Sequence, residues 1–164
     1  MKLRALLVAA ALVLSANAWA QVESGVSYYQ LEAGQAEVGA LVAAVGYRYR
    51  ANDVVSFIPE IRGGFGVKDD TVLGIDIKLN GLAGVGLRTE FAVFESVYAY
   101  GAVSYTRFRL KASGSDFGSG SSTEEEFGYG GGLGFNIGQS VSIEAGYEKY
   151  DAADIVSVGV RFRY

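Results

Sequence analysis

The chain has 164 residues, with 14 Lys or Arg against 18 Asp or Glu, and neither His nor Cys. A length of this order fits one domain, and a net charge of −4 gives no electrostatic footprint for nucleic acid. Without Cys there are no disulfides and no thiolate metal sites, and without His the commonest general base is missing.

Residues 1–20 stand apart from the rest. Lys2 and Arg4 form a short positive start, an apolar run follows from Ala5 to Ala16, and Ala18-Trp19-Ala20 closes it. That is the pattern of a secretory signal, with cleavage expected before Gln21. The run is shorter than the ~20 residues that a membrane-spanning helix needs. Residues 21–164 are therefore expected to be a single exported domain that relies on its fold alone for stability. No Cys follows the signal, so no lipoprotein anchor is expected.

From Gln21 onward apolar residues recur at every second position in stretches of about ten, separated by Gly, Asp, Asn and Ser. This spacing predicts strands at 24–33, 38–50, 54–66, 75–90, 97–110, 126–137, 141–150 and 155–164. The first is ambiguous in register, because Tyr28 and Tyr29 fit either face. The third sets Val55, Phe57, Ile61 and Phe65 opposite Ser56, Glu60, Arg62 and Gly64, and Pro59 inside it predicts a local bulge. The fourth alternates strictly from Ile75 to Phe91, with Asp76, Lys78, Arg88 and Glu90 on its polar side. The fifth has Tyr98 and Tyr100 in either orientation. The sixth carries Gly128, Gly130, Gly132 and Gly134 on one face. The seventh sets Val141, Ile143, Ala145 and Tyr147 opposite Ser142, Glu144, Gly146 and Glu148. The last places Val156, Val158, Val160, Phe162 and Tyr164 opposite Ser157, Gly159, Arg161 and Arg163.

Alternation alone admits two orientations. In a soluble ligand-binding barrel the apolar face is the core, whereas in a membrane barrel it meets lipid and the polar face fills the interior. Three features favour the second. Glycines on the polar face make room in a narrow lumen for long side chains opposite. The polar faces carry both signs, Arg48, Arg50, Arg62, Lys78, Arg88, Arg161 and Arg163 against Glu60, Asp76, Glu90, Glu144 and Glu148. Aromatics gather near strand ends, among them Tyr47, Tyr49, Phe91, Phe135, Phe162 and Tyr164. The expected fold is all-β: an eight-stranded antiparallel up-and-down transmembrane β-barrel. Its final strand must pair with its first to leave no open edge in hydrocarbon, which assigns Tyr164 to a seam. Turns such as "AND" and "GQS" are short, while "GSDFGSGSSTEEE" at 114–126 reads as a mobile acidic loop.

The signal ending Ala18-Trp19-Ala20, "VAAVGYRYR", "YAYGAVSY", "GYGGGLGFNIGQSVSIEAGYEKY" and the terminal "VGVRFRY" together resemble the outer-membrane β-barrel domain family, the OmpA-like or porin-family small eight-stranded barrels of Gram-negative bacteria. The resemblance covers 21–164 and implies location in the bacterial outer membrane, contact with outer-membrane lipids and lipopolysaccharide, and insertion by the barrel assembly machinery. In that family a C-terminal aromatic after alternating apolar residues is read by the assembly machinery, which here implies Val158, Val160, Phe162 and Tyr164. The peptidoglycan-binding domain of full-length OmpA-like proteins has no counterpart, so a cell-wall tether is not implied.

No catalytic, cofactor or metal residue is expected. The barrel enzymes of this kind use a His, and no G-x-S-x-G or G-x-G-x-x-G spacing is present. Glu144 and Glu148 are four apart on one face, but interior ion pairs account for them more simply than a carboxylate dyad. Asp69-Asp70 and "DAAD" at 151–154 match no calcium-loop spacing and read as solvated turns. The expected lumen charge network, also the candidate pore lining, is Arg48, Glu60, Arg62, Lys78, Arg88, Glu144, Glu148, Arg161 and Arg163, with Arg161 and Arg163 as partners for Glu144 and Glu148. The expected role is non-enzymatic and structural or surface-exposed. The alternatives are a small ion- or solute-conducting channel and an adhesin acting through the 111–125 loop.

Overall fold

Period-two alternation leaves the chain one economical solution, strands that pair with their sequence neighbours. The computed structural model describes residues 20–34, 36–72, 75–114 and 118–164. Its strands are β1 Ala20–Ala33, β2 Ala36–Arg50, β3 Val55–Lys68, β4 Asp70–Val72, β5 Ile75–Ala92, β6 Val97–Gly114, β7 Gly118–Ile137, β8 Val141–Lys149 and β9 Asp154–Arg163. The expected export signal, 1–20, lies outside the described residues except for Ala20.

Every pairing is antiparallel. The order runs β3-β2-β1-β9-β8-β7-β6-β5-β4, and β3 also pairs with β5, which closes the ring. The three-residue β4 continues β3 along the end of β5, so nine strands make an eight-stranded barrel. First and last strands meet from Glu23↔Arg163 to Glu32↔Asp154, and the Tyr164 amide donates to the Val22 carbonyl at 3.0 Å.

One end of the barrel carries the tight turns at 51–54, 93–96 and 138–140, with Gly138 at φ 79°. Asn52 Oδ1 caps the first of these by accepting from the amides of Val54 and Val55, both at 2.8 Å. The described ends of β1, β4, β6 and β8, at Ala33, Val72, Gly114 and Lys149, stand at the other end. Short turns mark the periplasmic side of such barrels and hairpin tips the outer side.

The apolar faces point outward. Ile61, midway between Phe57 and Phe65 on β3, is 64% exposed, and Val26, Val45, Val85, Leu133 and Val158 are exposed likewise. Phe57, Phe91, Phe135 and Phe162 lie toward the turn end of this band, and Tyr28, Phe65, Tyr105, Phe127 and Tyr147 toward the hairpin end. The two rows form the aromatic girdles of a membrane-spanning wall. Among the described residues no helix is long and apolar enough to cross a membrane.

Three expectations are corrected. Pro59 causes no bulge: the β2–β3 register is the same at Gly46↔Glu60 and Tyr49↔Phe57, and Pro59 pairs with Leu87 of β5. The ladder to β2 is simply interrupted at Pro59, where a proline has no N–H to give. Bulges occur instead between Gly39 and Ala40 and between Leu79 and Gly81. The second inserts Asn80 and reverses the faces of β5, so that Leu79 is buried and Lys78 exposed. Finally, the segment read as a loop at 114–126 is strand from Gly118 onward, in register from Gly114↔Gly118 through Arg107↔Glu125; residues 115–117 lie outside the described ones. Its Gly/Ser/Thr composition hides a period, but each residue gains a cross-strand partner on the already committed β6.

Ile61→Arg places a guanidinium midway between the girdles and is expected to lower folding stability in phospholipid bilayers by about 2–4 kcal/mol. Urea titration in vesicles measures it, and an unchanged midpoint would mean that this face does not meet lipid.

Candidate functional site

Each strand sends every second side chain inward, and eight strands leave an interior that side chains can fill. The size of these groups is accommodated by glycine. A Cβ at Gly128 would collide with the Tyr150 ring, one at Gly134 with Tyr98, and one at Gly146 with the Tyr100 hydroxyl. The register of the two ambiguous strands is thereby settled: Tyr29, Tyr98 and Tyr100 face inward, while Tyr28 and Tyr105 face out.

The lower interior, toward the turns, is ionic. Arg48 bonds Glu23 at 2.9 Å and also Glu90. Arg88 reaches Glu90 at 2.9 Å and Glu144 at 3.0 Å, with its guanidinium 3.5 Å from the Tyr100 ring centroid. Arg161 touches three carboxylates, Glu60 at 2.8 Å, Glu144 at 3.0 Å and Glu23 at 3.3 Å. The Tyr98 hydroxyl donates to Glu144 and lies 2.8 Å from the hydroxyl of Ser142. Arg163 donates to Asn136 at 2.7 Å and lies 3.9 Å from both Glu23 and Glu90.

A second cluster sits one step higher. Arg62 grips Glu148 with two bonds, 2.8 and 2.9 Å, and donates to the hydroxyls of Tyr150 at 2.7 Å and Tyr29 at 3.1 Å. Tyr150 in turn donates to Glu148 at 2.8 Å. Arg48, Arg62, Arg88, Arg161 and Arg163 thus face Glu23, Glu60, Glu90, Glu144 and Glu148, and the paired interior is neutral. Above this level the lumen turns apolar. Leu31, Val38, Leu79, Leu82, Phe108 and Ile155 form a buried plug, joined to the ionic part by an edge-on contact of Phe108 with Tyr150 at 5.2 Å.

Of the residues expected in the network, Arg48, Glu60, Arg62, Arg88, Glu144, Glu148, Arg161 and Arg163 lie inside. Lys78 does not: beyond the Asn80 bulge it turns outward and pairs with Asp69 at 2.6 Å on the surface. Glu148 is taken by Arg62, not by Arg163. Glu23 and Glu90 were missed as site residues. Glu23 is fully buried, and the alternation of Val22, Val26 and Tyr28 about it was the available signal. Glu144 and Glu148 belong to separate clusters, and the gap they both border is too small for a substrate. Val158, Val160 and Phe162 share the outer face of β9, and the exposed Tyr164 follows its last residue.

A closed antiparallel barrel with a greasy exterior, aromatic rows and a charge-paired lumen defines a transmembrane β-barrel protein of the bacterial outer membrane. The chain belongs to the outer membrane protein beta-barrel domain family, which matches residues 6–163. Three of the solved structures that share the fold are small barrels of this kind. The attachment invasion locus protein Ail of Yersinia pestis, in complex with the heparin analogue sucrose octasulfate, is 23% identical, with a TM-score of 0.61 over 88% of this chain and 97% of that one. Neisserial surface protein A is 18% identical, with a TM-score of 0.57 over 90% and 98%. The N-terminal barrel domain of Pseudomonas aeruginosa OprF is 13% identical, with a TM-score of 0.63 over 88% and 99%. No curated protein matches the sequence.

Removing one partner of a buried pair strands the other charge. Glu144→Gln, which takes a carboxylate from both Arg88 and Arg161, is expected to cost on the order of 3 kcal/mol. Glu37→Gln, which breaks only the exposed pair with Lys68, is expected to cost less than about 1 kcal/mol. Unfolding titrations in vesicles compare them, and equal midpoints would deny the interior network its structural weight.

Proposed function

We propose that the protein is a non-enzymatic barrel with a structural and surface-presenting role in the outer membrane. One observation carries this reading: the space left among Arg88, Arg161, Glu60, Glu144 and Glu148 at mid-barrel is about 20 Å³, room for about one water. A recess of about 430 Å³ at the turn end, lined by Arg48, Arg50 and Arg163 among others, stops at this level. The Leu31–Phe108–Ile155 plug closes the other side. An ion crossing would have to part several charge-assisted pairs and an apolar layer together, which argues against the conducting alternative.

The adhesin alternative draws support from the β6–β7 hairpin. β8 pairs with β7 only from Tyr129 onward, so residues 118–128 of β7 rise past it. That makes the paired stretches 111–114 and 118–125 a projection able to present a surface to an outside partner.

Biogenesis follows from the same reading. The 1–20 segment is an export signal cut before Gln21, and Val158, Val160, Phe162 and Tyr164 are what the assembly machinery grips. Outer-membrane lipids and lipopolysaccharide surround the finished wall.

In planar bilayers the purified protein is expected to give no stepwise conductance at neutral pH. Sustained conductance that vanishes on changing Arg161 or Glu144 would replace the structural role with a channel. In outer-membrane fractions the chain is expected to begin at Gln21 by mass spectrometry. Phe162→Ser with Tyr164→Ser is expected to shrink the fraction that migrates differently when unheated. An intact Met1 or an unaffected folded fraction would refute the corresponding half of the biogenesis reading.

A further inference from the structure

The outer face of β5, β6 and β7 changes character abruptly. Reading across the strands toward the hairpin end, the outward rows are Val85–Tyr105–Phe127, then Ala83–Arg107–Glu125, then Gly81–Arg109–Thr123, then Lys78–Lys111–Ser121. The row below the change belongs to the upper girdle, and the rows above it are basic. These cations leave the barrel sideways from its wall, neither into the lumen nor from a loop tip. Two residues advance a strand by about 6.8 Å, so with the usual tilt Arg107 stands roughly 5 Å and Arg109 roughly 10 Å above the Tyr105 layer. That is the headgroup zone of the outer leaflet.

The wall is indented at the same place. The extra residue Asn80 bends β5 away, and the β3–β5 ladder ends at Gly64↔Leu82. A recess of about 550 Å³ results, bordered by Gly64, Asn80, Gly81, Ala83, Arg107 and Arg109. Small residues keep it open, and two guanidinium groups stand at its rim.

Among the described residues, the nearby carboxylates are already engaged. Glu125 bonds Arg107 and accepts from the Tyr105 hydroxyl at 2.7 Å, which holds Arg107 over the recess. Asp69 pairs with Lys78, and Asp76 accepts from Thr71 at 2.7 Å. Arg109 and Lys111 have no ion-pair partner among the described residues. Two free cations beside a fixed third, next to an amide side chain, form a receptor for an anion with several oxygens. Arg is the residue suited to binding phosphate through two parallel bonds.

We propose that the recess beside Asn80 binds the phosphate-bearing headgroup of an outer-leaflet glycolipid, with Arg109 and Lys111 as its principal charge partners and Arg107 as a positioned third. The position commits the site to a lipid. From a phosphate held there, acyl chains descend along Val85, Val103 and Ile61, a continuous apolar wall that a free anion leaves unused. The inference rests on the membrane-spanning reading, but not on whether the lumen conducts.

The protein in detergent micelles is titrated with diphosphoryl lipid A and, separately, with the same lipid dephosphorylated, and bound lipid is counted by native mass spectrometry. The phosphorylated form is expected to bind at least about tenfold more tightly, and Arg109→Ser with Lys111→Ser to lose most of that margin. Arg50→Ser, which removes an exposed cation at the turn end, is expected to change nothing. Unheated gel mobility checks that each variant folds, and since both targeted side chains are exposed and have no ion-pair partner among the described residues the fold is expected to persist. Equal binding of the two lipids, an unaffected double variant, or an equal loss in Arg50→Ser would overturn the site. Displacement of the lipid by millimolar inorganic pyrophosphate would reassign it to free anions. The absence of conductance is read on the same protein independently, so the two readings can fail separately.

Discussion

Backbone amides and carbonyls cannot be left bare in hydrocarbon, and the rest of this structure follows from that constraint. Strands satisfy it only if the sheet has no edge, so β9 must find β1, and it does over Glu23↔Arg163 to Glu32↔Asp154. Closing with eight strands fixes a bore that side chains can fill. What fills it is then a question of chemistry, because the outward faces are already committed to lipid. Five arginines and five glutamates answer it with a neutral, interlocked set in which most groups have two or more partners: Arg48, Arg62, Arg88, Arg161 and Arg163 with Glu23, Glu60, Glu90, Glu144 and Glu148. Buried pairs are weak contributors beside apolar packing when both members are replaced together. Here they are strongly protective once present, since a lone buried charge has nowhere to go.

Much of the fold was legible because period two is unambiguous where apolar and polar residues alternate cleanly. β8 and β9 read directly, and so did the inward placement of Arg62, Glu144 and Arg161. Legibility failed where a residue breaks the count. Asn80 is an ordinary polar residue in an alternating strand, and nothing in its identity announces that it will be the extra one. Lys78 was therefore assigned inward when the bulge turns it out, and Leu79, taken for a lipid-facing residue, belongs to the plug. Pro59 misled in the opposite direction. Its missing N–H needs only a gap in one ladder, and the barrel supplies a gap without adding a residue.

The other losses have a different origin. Glu23 sits on a strand whose two adjacent tyrosines fit either face, which obscured the alternation of Val22, Val26 and Tyr28 about it. The plug was invisible because Leu31, Val38, Phe108 and Ile155 come from four strands and each has apolar neighbours of its own; their meeting at one height depends on strand tilt, which sequence spacing does not carry. The segment from Gly118 to Glu126 has the composition of a flexible linker. It becomes strand because β6 already offers Arg107, Arg109 and Lys111 in extended order, and hairpin partners need complementarity more than intrinsic preference.

The plug of Leu31, Leu82, Phe108 and Ile155 has a directional consequence. With grease at the outer mouth and a recess bordered by Arg48, Arg50 and Arg163 at the inner one, the barrel is wetted from one side. Solvent has a way in at the turn end as far as Arg48 and Arg163, while the plug stands between the ionic layer and the hairpin end. Packed side chains therefore screen the charges that hold the cylinder in shape from the hairpin end, and the molecule is stoppered at that end like a bottle.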